Sequence, residues 1–162
     1  DQLLSLRLDY AANVPPAELK LLLTLLQGRI RAGVDLSRLA FVIEQAGRER
    51  DCRSTVETNR LIVRTPVTTV LDNSVAFADQ RITISGDGTP ARDPTGEPLD
   101  WYDPAASVTL RFLTITGDLS RVAGHLPLVH SVILNDREWY FQATASAERG
   151  YVDITAQSCA YP

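Results

Sequence analysis

Apolar and polar residues alternate at the start of the chain and then recur at helical spacing. The alternation over residues 3–10 predicts a half-buried strand. Pro15 and Pro16 end this strand and suit the first turn of a helix. The helix that follows has a wide apolar stripe, made of Leu19, Leu21, Leu22, Leu23, Leu25, Leu26 and Ile30. We interpret this helix as core, and the alternative is a helix that meets a partner or continues from a membrane anchor.

A second helix is predicted a few residues after the first. Gly33 is placed to end the first helix, and Asp35 is placed to cap the second. The apolar stripe of the second helix consists of Leu36, Leu39, Val42, Ile43 and Ala46. The short connection predicts a tight helical pair or one bent helix.

The remainder of the chain has the pattern of β-structure. Strands are predicted over 60–65, 74–77, 81–85, 108–116, 128–134, 139–145 and 152–159. Asp118 can cap a short helix over 118–126, because Leu119, Val122 and Leu126 recur at helical spacing. Residues 86–107 contain four prolines and three glycines, which predicts a long irregular loop.

These elements predict an α+β fold in which small antiparallel sheets pack with helices. Residues 1–66 supply a strand and the helical pair, and residues 67–162 supply the β-rich portion. We expect both portions to form one compact unit, since 162 residues suit a single ordinary domain.

The composition narrows the classes of function. The formal net charge is −4, which argues against nucleic acid as a partner. No run approaches the roughly 18 apolar residues of a membrane span. The sequence contains no Met and begins with Asp1, so we expect that a signal peptide or a membrane anchor has been removed from the N-terminus.

Cys52 and Cys159 are the two cysteines of the chain. Two cysteines can form a disulfide, remain as buried thiols, or supply half of a metal site. No further cysteine or histidine lies at ligand spacing from either one. Because Cys52 follows a charged stretch, we favour a Cys52–Cys159 disulfide, which implies an oxidising compartment such as the bacterial periplasm.

The candidates for catalysis and cofactor binding are weak. His125 and His130 fall on different predicted elements without an acidic cluster beside them, and no nucleophile-elbow motif occurs. The pair Gly86 and Gly88 is followed by a Pro-rich stretch and not by a helix, so we ascribe both glycines to a turn. We therefore expect no catalytic residue, no cofactor and no metal ligand.

The predicted loop over 86–107 carries the remaining chemistry. Its acidic residues could hold Ca²⁺, but their spacing is irregular and matches no known calcium loop. These residues are Asp87, Asp93, Glu97, Asp100 and Asp103. Trp101 and Tyr102 are either a staple onto the domain or a contact for a partner.

The C-terminal pattern over residues 108–161 resembles a known family. A strand that ends at Gly117, a short helix over 118–126, a strand over 128–134 and two further strands ending near Tyr161 follow in that order. This order resembles the periplasmic domains of the PilO family of type IV pili and the GspM family of type II secretion. The resemblance implies a ferredoxin-like C-terminal half and a non-enzymatic, inner-membrane-anchored scaffold that dimerises.

Three functional hypotheses follow. The leading one is a periplasmic, non-catalytic interaction domain of a bacterial envelope assembly, with protein partners in a homo- or heterodimer. The second is a periplasmic or secreted ligand-binding module that uses the 86–107 loop with Trp101 and Tyr102. The third is an enzyme of an unrecognised class that uses His125 or His130 with loop carboxylates.

Overall fold

The computed structural model describes residues 17–46, 51–70 and 73–161. The chain divides into two compact units after Glu49, so that residues 17–46 belong to one unit and residues 51–161 to the other. The strand predicted over 3–10 lies outside the described residues. The division falls at 49/50 and not at 66/67, because the first strand after the helices pairs within the β-rich unit.

Two helices make up the described part of the first unit, and both match the predictions. Helix α1 spans Ala17–Arg31 and helix α2 spans Leu36–Gln45. Gly33 adopts a φ of 83° after α1, and the amides of Gly33 and Val34 donate to carbonyls of the last turn. Asp35 caps α2, and its carboxylate accepts from the amide of Arg38 at 3.0 Å.

The interpretation of α1 as a core helix is wrong for the described structure. No described residue of either helix is buried. The large apolar side chains that are exposed on the two helices are Leu19, Leu21, Leu22, Leu23, Leu25, Ile30, Leu36, Phe41 and Ile43. Helical periodicity identifies an apolar face, but it does not identify what covers that face.

The described part of the second unit contains ten strands. In chain order they are β1 (Glu57–Ile62), β2 (Ser74–Phe77), β3 (Ile82–Gly88), β4 (Pro90–Arg92), β5 (Pro98–Tyr102), β6 (Val108–Thr114), β7 (Leu119–Gly124), β8 (Leu128–Leu134), β9 (Arg137–Ala145) and β10 (Tyr151–Ala160). Two four-stranded sheets have the orders β1-β10-β9-β8 and β2-β3-β6-β7, and β4 with β5 forms a small hairpin. Every pairing in these sheets is antiparallel.

The core lies between the inner faces of the two large sheets. Alternate residues point inward, as in β6 and β10, where every second side chain is buried along most of the strand. Phe141 of β9 contacts Phe77 of β2 and Phe112 of β6, with ring centroids 5.5 and 5.1 Å apart. These aromatic contacts join the two sheets across the core.

The segment 118–126 is a strand and not the predicted helix. Leu119–Gly124 forms β7, which pairs with β6 over its whole length. The apolar positions recur at helical spacing and do not alternate as in a strand, but pairing with β6 determines the outcome because local propensity yields to tertiary context. The fold is therefore broadly α+β with mainly antiparallel sheets, and the ferredoxin-like arrangement is not confirmed.

The segment 86–107 is more regular than predicted. It contains the end of β3 and the β4–β5 hairpin. Gly86 and Gly88 lie in β3, where an added Cβ would come within 3.0 Å of Leu110 and Val63, respectively. Both glycines therefore permit close packing, and the turn assigned to them is wrong.

Candidate functional site

Cys52 and Cys159 form a disulfide, as predicted. The bridge joins the segment before β1 to the end of β10. Two hydrogen bonds reinforce it, because the amide of Ala160 donates to the Asp51 carbonyl at 2.9 Å and the amide of Ser158 donates to Ser54 Oγ at 2.8 Å. A disulfide is consistent with an oxidising, extracytoplasmic compartment.

Trp101 and Tyr102 have different environments although they are neighbours in β5. Tyr102 is 2% exposed, and its hydroxyl donates to the carbonyl of Tyr151 at 3.0 Å. Burial raises the pKa of Tyr102, and the charge of Asp153 adds to this effect. Tyr102 is thus the staple that holds the hairpin to β10, and Trp101 is the one of the two that a partner could reach.

Trp101 borders a pocket of about 190 Å³ between the β4–β5 hairpin and the β9–β10 turn. The guanidinium carbon of Arg149 lies 5.3 Å from the centroid of the indole ring. Beside the pocket, Arg60 donates to Glu148 at 2.7 Å and to Asp153 at 2.8 Å. The charged groups near the pocket therefore already form ion pairs or a cation–ring contact within the second unit.

Asp87 links three parts of the second unit. Its carboxylate accepts hydrogen bonds from Arg111 of β6 and from Arg64, the latter at 2.9 Å. Burial alone would raise the pKa of Asp87, but the hydrogen bonds and charges of Arg111 and Arg64 outweigh it and hold that pKa below its ordinary value. Asp87 is therefore a structural carboxylate that carries its charge at neutral pH.

Other acidic residues of the 86–107 segment organise turns. Asp93 accepts from the amides of Thr95 and Glu97, and the carboxylate of Asp103 accepts from the amide of Ala105. Hydrogen bonds, led by that from the Thr95 hydroxyl, hold the pKa of Asp93 low. Among residues 17–46, 51–70 and 73–161, no cluster of three or more His, Cys, Asp or Glu side chains could hold a metal ion.

The two histidines lie apart from these carboxylates. His125 is exposed, and its Nδ1 lies 3.0 Å from the carbonyl oxygen of Ala105. His130 is half-buried, its ring stacks at 4.4 Å on Phe112, and its Nε2 lies 2.9 Å from Ser120 Oγ. Burial lowers the pKa of His130. Within the described residues, no carboxylate forms a hydrogen bond or ion pair with His130, so the Ser120–His130 pair lacks the acidic third member of a catalytic triad.

Sequence reasoning missed the Ser120–His130 contact and the Asp87 bridge. Both depend on strand register, and Ser120 was assigned to a helix that does not form. The sequence of β7, LSRVAG, shows no alternation of apolar and polar residues, so the sequence carried no signal for this strand.

Comparison with protein-family models, with curated proteins and with solved structures gives no match for this chain. Neither of the helices described here has the length and hydropathy of a membrane span.

Proposed function

We propose that this chain is a non-catalytic scaffold domain that acts outside the cytoplasm and dimerises through α1. The observation that carries the proposal is the large apolar surface that the helices leave exposed. Monomeric proteins rarely expose contiguous apolar patches of more than a few hundred Å², and larger ones mark interaction sites. The disulfide supports the extracytoplasmic location.

The arrangement of residues on α1 favours a second copy of the chain as its partner. The apolar stripe is nearly symmetric about the middle of the helix, with Leu19 and Ile30 at its ends and Leu23 and Leu26 at its centre. Two copies of α1 packed antiparallel would therefore place equivalent apolar positions in contact. A two-fold axis requires this kind of self-complementary surface.

Charges at the two ends of α1 favour the same pairing. Glu18 lies in the first turn, and Arg29 and Arg31 lie in the last turn. In an antiparallel pair centred between Leu23 and Leu26, Glu18 of each copy approaches Arg31 of the other copy, and the helix dipoles are opposed. The charges and the apolar stripe thus select one orientation.

The pilus or secretion platform and the inner-membrane anchor are finer proposals that rest on the resemblance over residues 108–161. Because β7 stands where that resemblance has a helix, the broader scaffold function is the better supported statement. The ligand-binding alternative stays a prediction for the pocket beside Trp101, and the charged groups near that pocket already contact one another. The Ser120–His130 pair has no carboxylate partner among the described residues, which supports a non-catalytic function.

Light scattering on the oxidised protein tests the dimer. We expect a mass of twice 17.8 kDa at high concentration, with dissociation on dilution. Leu23→Glu places a charge at the centre of the stripe and should give a monomer, whereas Thr24→Glu makes the same change on the next residue, away from the stripe, and should leave the dimer intact. A monomeric wild type at all concentrations, or equal effects of the two substitutions, would contradict the proposal.

A further inference from the structure

The outer face of β6 and β7 carries two arginines directly opposite one another. Buried and outward-pointing residues alternate along β6, and Arg111 belongs to the outward set. The register pairs Arg111 with Arg121 of β7 on one side and with Ser85 of β3 on the other. Like charges in directly opposite positions of an antiparallel pair destabilise that pair.

One carboxylate compensates only part of this charge. Asp87 hydrogen-bonds both Arg111 and Arg64, so a single aspartate serves two arginines. Arg121 is exposed and makes no hydrogen bond or ion pair with any residue that the structure describes. Three arginines minus one aspartate leave this cluster with a charge of +2 on a chain whose formal net charge is −4.

An exposed apolar pair lies next to the arginine pair. Leu113 and Leu119 are cross-strand partners two positions along β6 and β7 from the arginines, and they are 47% and 64% exposed. Residues two positions apart point to the same face of a strand. Arg111, Leu113, Leu119 and Arg121 therefore form one surface, which we name the Arg–Leu face.

We propose that the Arg–Leu face binds an acidic protein segment whose carboxylate bridges Arg111 and Arg121 and whose apolar side chains cover Leu113 and Leu119. Charge complementarity favours this occupant, because a bound carboxylate relieves the repulsion between the two guanidinium groups and can accept bidentate hydrogen bonds from them. The leucine pair favours a protein segment over a simple anion, which gains nothing from apolar contact. The inference rests on the proposed scaffold function and assigns it a partner surface.

Fluorescence anisotropy with a fluorescein-labelled peptide of alternating glutamate and leucine tests this proposal. Arg121→Glu should weaken binding by at least about tenfold, because the new carboxylate repels the peptide and pairs with Arg111. The same substitution should raise the thermal midpoint, since an opposite-charge pair replaces a like-charge pair. Arg92→Glu makes an identical charge change on β4, outside the face, and should leave the affinity within about twofold.

Leu119→Ser and two competitors identify the ligand class. Leu119→Ser should weaken peptide binding, and neither inorganic phosphate nor vesicles of equal parts phosphatidylglycerol and phosphatidylcholine should displace the peptide. The proposal is overturned if the peptide does not bind or if Arg92→Glu weakens binding as much as Arg121→Glu. It is also overturned if phosphate or vesicles displace the peptide while Leu119→Ser leaves the affinity unchanged. A lower dimer mass in Arg121→Glu would also overturn it, since the face would then pair two copies. A monomeric wild type that still binds the peptide would contradict only the dimer.

Discussion

Removal of the Cys52–Cys159 disulfide should destabilise the second unit without changing its fold. The perturbation is the double substitution Cys52→Ala with Cys159→Ala, which leaves no free thiol. Hydrogen bonds from Ala160 to Asp51 and between Ser54 and Ser158 remain in place. We therefore expect the native circular dichroism spectrum at moderate temperature.

The magnitude follows from the sequence separation of 107 residues between the two cysteines. In the chain-entropy model, a cross-link that closes such a loop lowers the entropy of the unfolded chain by an amount equivalent to about 4–5 kcal/mol at 25 °C. Removal of the disulfide should therefore lower the free energy of unfolding by this amount. For a unit of this size, an unfolding entropy of about 2.1 cal/mol/K per residue makes the corresponding fall in Tm about 15–20 °C. With an m-value of about 1.5 kcal/mol/M, the urea midpoint falls by about 3 M.

Urea unfolding followed by tryptophan fluorescence measures this loss. Reductant should lower the stability of the wild type to that of the double variant and should leave the double variant unchanged. A difference below about 1 kcal/mol between the oxidised wild type and the double variant would refute the reasoning, because the bridge would then not constrain the unfolded chain as a long loop does.

Two further predictions concern the core and the inter-sheet histidine. Gly86→Ala should lower the free energy of unfolding in urea by about 1–3 kcal/mol, because its Cβ would lie 3.0 Å from Leu110 and 3.2 Å from Leu61 in the core. A Cβ at Gly28 would have no atom within 4 Å, so Gly28→Ala should not destabilise the protein. Equal effects of the two substitutions would contradict the packing argument. His130 has a pKa below its ordinary value in the folded state, so the unfolded state binds a proton first and stability should fall as the pH drops from 7.5 through 6.5 towards the folded pKa. His130→Gln should reduce this fall, as measured by urea midpoints across that range. An unchanged slope in His130→Gln would refute the assignment.

Several elements could be predicted from the sequence because local chemistry determines them. The strand over 128–134 is rich in apolar and β-branched residues, and β8 has those bounds. The hairpin over 74–77 and 81–85 was marked by a change in alternation, and β2 pairs with β3 there. The helix ends at Gly33 and Asp35 follow from backbone freedom and capping. The disulfide was predicted from two cysteines with no metal partner.

Other features could not be predicted, because they depend on which residues meet in space. The helix predicted over 118–126 is a strand since β6 supplies hydrogen bonds that no local pattern records. The position of Arg111 opposite Arg121 depends on the pairing of β6 with β7, and the contact of Asp87 with Arg64 depends on a bridge between β3 and the segment after β1. The exposure of α1 and the burial of Tyr102 are likewise properties of packing, since neither residue type nor spacing distinguishes a core position from a docking surface.

The most direct test of the scaffold proposal is a cross-link between two copies of α1. A photoreactive phenylalanine analogue at position 23 is introduced into the full chain, and light and heavy isotope-labelled protein are mixed before irradiation. The account predicts mixed-isotope cross-links from position 23 into α1 of the second copy, centred near Leu26. Cross-links confined to a single isotope, or mixed-isotope cross-links that enter residues 51–161 and not α1, would contradict it.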